Sequence, residues 1–143
     1  MKTLFPFREE EALNFYLTNY RKEGLPQLEI SKPLDILSHK PQKHDFDIEL
    51  TWKDPWPHAN RAGVYLVYDE NAELIYIGTA TVIGNRLYTY FGGGSECVYR
   101  EQWGTPPRYI RIIAVPAEMP FEAQALEAFL IARLKPKHNT RGV

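Results

Sequence analysis

The stretch "AGVYLVYDENAELIYIGTATVIGNRLYTYF", Ala62 to Phe91, decides the fold. Its apolar runs "GVYLVYD" and "ELIYIG" have the length and the β-branched and aromatic content of strands, and Glu70 and Asn71 between them form a polar turn. A helix-like run, Thr81 to Phe91, follows and stops at Gly92. A two-residue loop that pairs Asp69 with Ala72 sets Tyr65 directly opposite Tyr76. An even change of loop length keeps both on one face, whereas a one-residue slip separates them. On the helix, Arg86 and Tyr90 are one turn apart and share a face with Val82. Two strand tyrosines, an arginine and a third phenol are thus expected to converge.

Working outward, the loop Gly92 to Pro107 opens on "GGGS", expected to be a flexible hinge bordering any substrate groove. A strand "RYIRIIAV" (Arg108 to Val115) comes next, then a last helix starting at Pro120, where the missing N–H would be unbonded anyway. Toward the N-terminus, residues 8–22 predict an amphipathic helix with acids in its first turn, cations in its last, Gly24 as a stop and a stripe of Leu13, Tyr16, Leu17 and Tyr20. Prolines interrupt residues 25–61, leaving only "DIELTW" (Asp47 to Trp52) with strand alternation, while Phe46, Trp52 and Trp56 serve as anchors. The expected fold class is α/β (α+β): a small, mainly antiparallel three-stranded sheet flanked by helices. Residues 1–60 form an N-terminal helix and Pro-rich accessory extension and residues 61–143 the main domain.

The 143 residues suit one core, and 44% hydrophobic with 24% charged residues is ordinary for a globular chain. A net charge of −1 and a pI near 6.4 exclude a protein that coats polyanions by bulk charge. Distribution says more: Arg133, Lys135, Lys137 and Arg141 meet no acid from Arg133 onward, whereas Glu9, Glu10 and Glu11 cluster near the start. Cys97 is the single cysteine, so an internal disulfide is excluded and a reducing setting is natural. No signal-like or membrane-spanning run is present, and a soluble, cytoplasmic protein is expected.

Two readings stand open for each candidate site residue. Strand tyrosines commonly pack with a wet hydroxyl, and a helix glutamate commonly sits on a solvated face. Glu127, however, lies within the apolar run "QALEAFLIARL", where an ionised carboxylate is costly unless a cation, a metal or several donors meet it.

Taken in order, Gly63-Val64-Tyr65, Tyr76-Ile77-Gly78, Arg86, Glu127 at the head of an "ExxLI" pattern and Asn139 closing "PKHN" resemble the GIY-YIG nuclease superfamily. Within it the sequence closely resembles the nuclease domains that open the bacterial nucleotide-excision-repair incision proteins. The resemblance covers about residues 62–140 and does not extend to residues 1–60. It implies an endonuclease hydrolysing phosphodiesters, most readily in DNA, with one Mg²⁺ or Mn²⁺ on Glu127. By the same resemblance Tyr65 is the general base, Tyr76 orients water or phosphate, Arg86 holds phosphate through its planar fork and Asn139 fixes backbone around the site. Tyr90 and the basic Lys135, Lys137 and Arg141 are the expected substrate contacts.

One departure stands out: Thr79 occupies the place where many relatives carry lysine. His58, Arg61 and His138 are the nearby groups able to replace an ammonium's help to Tyr65. That substitution keeps two further readings open, a catalytically weak nucleic-acid-binding module whose acidic N-terminal extension meets a protein partner, and a nuclease that cleaves RNA.

Overall fold

The computed structural model describes residues 7–36, 50–51, 56–92 and 104–139. Helix α1 (Phe7–Asn19) is followed by three short strands, β1 (Glu29–Ile30), β2 (Leu34–Asp35) and β3 (Leu50–Thr51). The hairpin β4 (Gly63–Tyr68) and β5 (Leu74–Ala80) comes next, then α2 (Ile83–Phe91), β6 (Tyr109–Ala114) and α3 (Glu122–Leu134). The expected three-stranded sheet is present as β6-β4-β5, all antiparallel, but it is the core of a six-stranded one. The extension contributes the rest: β1 and β2 follow one another along the free edge of β6, and β3 joins β2 in parallel. β3 falls within the expected "DIELTW" strand, whereas period-2 patterning in the rest of the Pro-rich segment is too short to reveal the two-residue β1 and β2.

The hairpin differs from the expected register for two local reasons. Asp69 Oδ1 accepts the N–H groups of Asn71 (2.9 Å) and Glu73 (3.0 Å), and Asp69 N–H donates to the Glu73 carbonyl. Ala72 takes the left-handed conformation, φ 59°, so the loop holds three residues instead of two. A bulge then shifts the ladder between Val67 and Tyr68 and leaves Ile75 as the extra residue. Tyr65 therefore pairs with Gly78, and Tyr76 with Val67. The two slips add up to an even number, so both tyrosines stay on one face, diagonal neighbours with ring centroids 6.2 Å apart.

Every residue of β4 and β6 is buried, because both faces of the sheet are covered. One face carries Val64, Leu66, Tyr68 and Ile77 against Leu126, Leu130 and Leu134 of α3, with Leu13 and Tyr16 of α1 behind. The other carries Tyr65, Val67, Ile110 and Ile112 against Ile83, Leu87 and Phe91 of α2, and Trp56 packs on Phe91 at 6.1 Å.

The helix ends also need correction. α1 stops at Asn19, so Tyr20 is exposed instead of completing the stripe, and Arg21 leaves the helix to bond Glu122. α3 begins two residues after Pro120, which sits in the preceding turn with its carbonyl accepting from Ala123 N–H. Of the three clustered acids of α1, Glu9 lies on its buried face, whereas Glu10 and Glu11 are exposed. The remainder of the "DIELTW" run, Phe46, Trp52, Cys97, the "GGGS" hinge beyond Gly92 and Arg141 lie outside the described residues. Among those described, no helix is long and apolar enough to cross a membrane.

Candidate active site

The site is built around β5, the outermost strand of the sheet. An outer strand exposes unpaired N–H and C=O groups, and here Asn139 answers them. Its Oδ1 accepts from Ile77 N–H and its Nδ2 donates to the Ile77 carbonyl, both at 2.8 Å, imitating one rung of a further strand. The neighbouring His138 N–H donates to the carbonyl of the bulged Ile75 at 2.9 Å. The segment after α3 thereby fixes the strand that carries Tyr76.

The glycines of the two tripeptides have steric reasons. A Cβ on Gly78 would overlap the ring end and hydroxyl of Tyr65, so only glycine lets that ring lie across β5. A Cβ on Gly63 would overlap the Ile113 carbonyl of β6 and crowd Ile83 of α2. Alternation along β5 then sorts the chemistry by face. Tyr76 shares the α2 side with Tyr65, whereas Thr79 shares the α3 side with Ile77.

On the α2 side the three phenols meet. The Tyr65 hydroxyl donates to Tyr90 Oη at 3.2 Å, with the rings 5.8 Å apart, and the Tyr76 hydroxyl lies within hydrogen-bonding reach of both. Tyr65 is almost wholly buried, and its pKa is pushed well above the ordinary phenol value. Burial is the main cause, followed by the bond to Tyr90 and the other phenols, while the Arg86 guanidinium pulls the other way. Tyr76 is raised too, by burial, by Tyr90 and by the Glu127 charge. That last influence crosses the edge of β5 and ties the tyrosines to the acid on α3.

On the α3 side, Glu127 is half-buried, less covered than its apolar helix implied. Burial raises its pKa, and a hydrogen bond from the Thr79 side chain lowers it in part. Among the described residues its carboxylate has that hydroxyl as partner and no cation. The residue at the lysine position therefore addresses the acid, not Tyr65. Arg86 is exposed on α2 and lines a groove of about 370 Å³ between the end of β5, α2 and the start of α3, shared with Thr79, Thr81, Phe121, Ala123 and Gln124.

Other candidates are placed elsewhere. His58 faces Glu29 at 3.5 Å, Arg61 donates to the Val115 carbonyl and His138 bonds Thr105 Oγ1 at 2.9 Å, so each is engaged away from Tyr65. Lys135 and Lys137 are exposed on the segment leading to Asn139, and Arg133 stacks over Phe15 of α1 at 4.3 Å. Sequence reasoning missed Thr79 as the partner of Glu127, although its parity with the core residue Ile77 carries that information. It also missed the most buried acid of α3, Glu122, whose partners Arg21 and Tyr16 lie about a hundred residues away. No group of three or more His, Cys, Asp or Glu able to hold a metal occurs among the described residues.

A family model described as "UvrC-like GIY-YIG domain" matches residues 61–140. Among curated proteins, UvrABC system protein C of Hydrogenovibrio crunogenus is 35% identical over 94 residues, covering 66% of this chain and 14% of that protein. The protein of the same name from Francisella tularensis subsp. holarctica is 32% identical over 95 residues, and that from Aliarcobacter butzleri 36% over 89, covering 66% and 56% of this chain. These matches take in 15% and 14% of those two proteins, so the chain spans about one seventh of the length of the relatives it resembles.

Proposed function

The chain belongs to the GIY-YIG nuclease superfamily, in its UvrC-like branch, and from that premise we propose that it is a divalent-metal-dependent endonuclease hydrolysing phosphodiester bonds in DNA. The observation that carries the reading is the placement around β5 of an exposed arginine, a hydrogen-bonded pair of phenols with a third beside it, and an acid that meets no cation among the described residues. A single half-buried carboxylate fits a hard cation of the Mg²⁺ kind, which prefers oxygen and completes its shell with waters and substrate oxygens. Glu127 would hold that ion, which supplies stabilisation of charge on the phosphate and on the leaving oxygen.

The remaining chemistry belongs to the chain's own side chains. Arg86, free to present its fork to the groove, binds and orients the phosphate. Tyr65, whose hydroxyl is hydrogen-bonded to Tyr90, would take the proton of the attacking water once ionised. Tyr76, on the exposed side of the pair, holds that water in line. Proton transfer to Tyr65 requires its ionised form, which burial and the other phenols disfavour. Turnover is therefore slow at neutral pH and speeds up as pH rises. Asn139 holds the Ile77 backbone, and with it the spacing of Tyr76 and Thr79.

A second reading, a binding module with little turnover, draws support from that same raised Tyr65 pKa and from Thr79 in place of lysine. One experiment separates them: incubate the protein with Mg²⁺ or Mn²⁺, or with a chelator, against single-stranded, duplex and branched DNA and matched RNA. Metal-dependent scission of DNA supports the nuclease. Retention of nucleic acid without scission at any pH supports the module, and preferential RNA scission changes the substrate.

A further inference from the structure

Among the described residues Phe121 is the most exposed of the large hydrophobic side chains. It is 69% exposed and packs into neither core cluster. It stands at the N-terminal boundary of α3 but supplies no capping hydrogen bond. A single exposed aromatic residue is by itself unremarkable. This one, however, lines the same groove as Arg86, whose other side chains include the hydrogen-bonding Thr79, Thr81 and Gln124. At about 370 Å³ the groove is within the roughly 300–1,000 Å³ range of small-ligand clefts.

We propose that Phe121 is a stacking platform for an unpaired nucleobase next to the scissile phosphate, so that the preferred substrate has a single-stranded nucleotide at the cleavage point, as in a flap, bulge or branch. The inference rests on the nuclease reading above and adds the substrate class to it. A base in a continuous duplex has both π-faces covered by its neighbours, so an aromatic ring in the groove gains contact only where a base has left the stack. Arg86 then fixes the phosphate of that nucleotide, and Gln124, one turn into α3, offers both a donor and an acceptor to a base edge. The modest overall charge agrees with this division of labour. With a net charge of −1, bulk attraction to phosphates is weak, which leaves more of the affinity to local contacts such as this one.

The test measures binding of fluorescent DNA to the intact chain, without divalent metal, for a fully paired duplex and for the same duplex bearing a single-stranded flap with 2-aminopurine at the junction. Phe121→Ala is expected to weaken flap binding about tenfold, in line with stacking losses per base, and to leave duplex binding within about twofold. Phe121→Trp should retain flap binding and the quenching of 2-aminopurine that stacking produces. Phe121→Ser serves as a fold control: it removes the ring, cannot harm a core that the ring does not enter, and should keep the thermal midpoint of the wild type while losing flap preference. Equal affinities of wild type and Phe121→Ala for the flap, or an equal loss on flap and duplex, would overturn the stacking role while leaving the nuclease reading in place. A wild-type chain that binds none of these DNAs, and cleaves none of them once Mg²⁺ or Mn²⁺ is added, overturns both.

Discussion

The two glutamates of α3 that turn inward, Glu122 and Glu127, occupy the same helix but opposite physical situations. Glu122 is buried and fully answered by its own chain: Arg21 donates through Nε at 2.6 Å and Nη2 at 3.1 Å, and Tyr16 through its hydroxyl at 2.8 Å. Glu127 is half-buried, has among the described residues one hydroxyl partner in Thr79, and carries a pKa raised by burial. The arginines divide in the same way. Arg21 is spent on Glu122 and the Pro26 carbonyl, while Arg86 stands exposed in the groove. A charge compensated within the chain holds the fold; one left short of partners at a groove is available to something from outside.

The comparison breaks first, and by the largest margin, at Arg21. Arg21→Ala leaves Glu122 buried without its cation, and unfolding free energy should fall by about 3–5 kcal/mol; a denaturant titration showing a loss below about 1 kcal/mol would make the pair ornamental. Glu127→Gln should do the reverse, lowering metal-dependent cleavage at least about hundredfold without loss of stability. Its sign with pH is testable as well. The folded-state pKa of Glu127 lies above the unfolded value, so ionisation in the folded protein is a burden that grows as pH rises past the unfolded pKa. Glu127→Gln should accordingly match the wild type in acid and be equally or more stable near neutrality, read by thermal unfolding at both pH values.

The phenols sharpen the account next. With Tyr65 pushed above the ordinary phenol pKa, its ionised fraction, and the cleavage rate with it, should rise about tenfold per pH unit across neutrality and beyond. A plateau by neutral pH would remove Tyr65 as the base. Arg86→Lys keeps the charge and loses the fork, and a drop of roughly tenfold in kcat/KM is expected, whereas equal rates would mean that a point charge suffices. The smallest effect belongs to Thr79→Val. Removing the hydroxyl from Glu127 should raise the Mg²⁺ concentration for half-maximal rate by a few-fold and leave the saturated rate nearly unchanged. An unaltered metal titration would dissociate Thr79 from the acid.

Much of this was legible in the sequence, for reasons that differ by residue. The hairpin, its turn and the shared face of Tyr65 and Tyr76 follow from period-2 patterning, although the register does not. A left-handed Ala72 and the bulge at Ile75 shift the pairing twice, and neither residue carries the glycine that would announce it. The Arg86–Tyr90 face follows from helical spacing. Glu127 was legible as an acid on an apolar helix, but its degree of burial depends on how α3 meets β5. Glu122 was illegible as the better-buried acid because its neutralisation comes from Arg21, distant in sequence and just beyond a helix end that was placed too late. The short strands β1 and β2 exist only through pairing with β6, a tertiary effect that overrides local propensity, whereas β3 falls within the strand alternation of "DIELTW".

On the proposed function Glu127, and not Glu122, is the acid that would hold a catalytic cation. The most direct test of that role is a Mg²⁺ titration of single-turnover cleavage on branched DNA by wild type and Glu127→Gln, with folding of each verified by thermal unfolding. The account predicts a rate that rises with Mg²⁺ and saturates for the wild type, and a flat baseline for the folded Glu127→Gln variant. The same saturating curve from both proteins would contradict it.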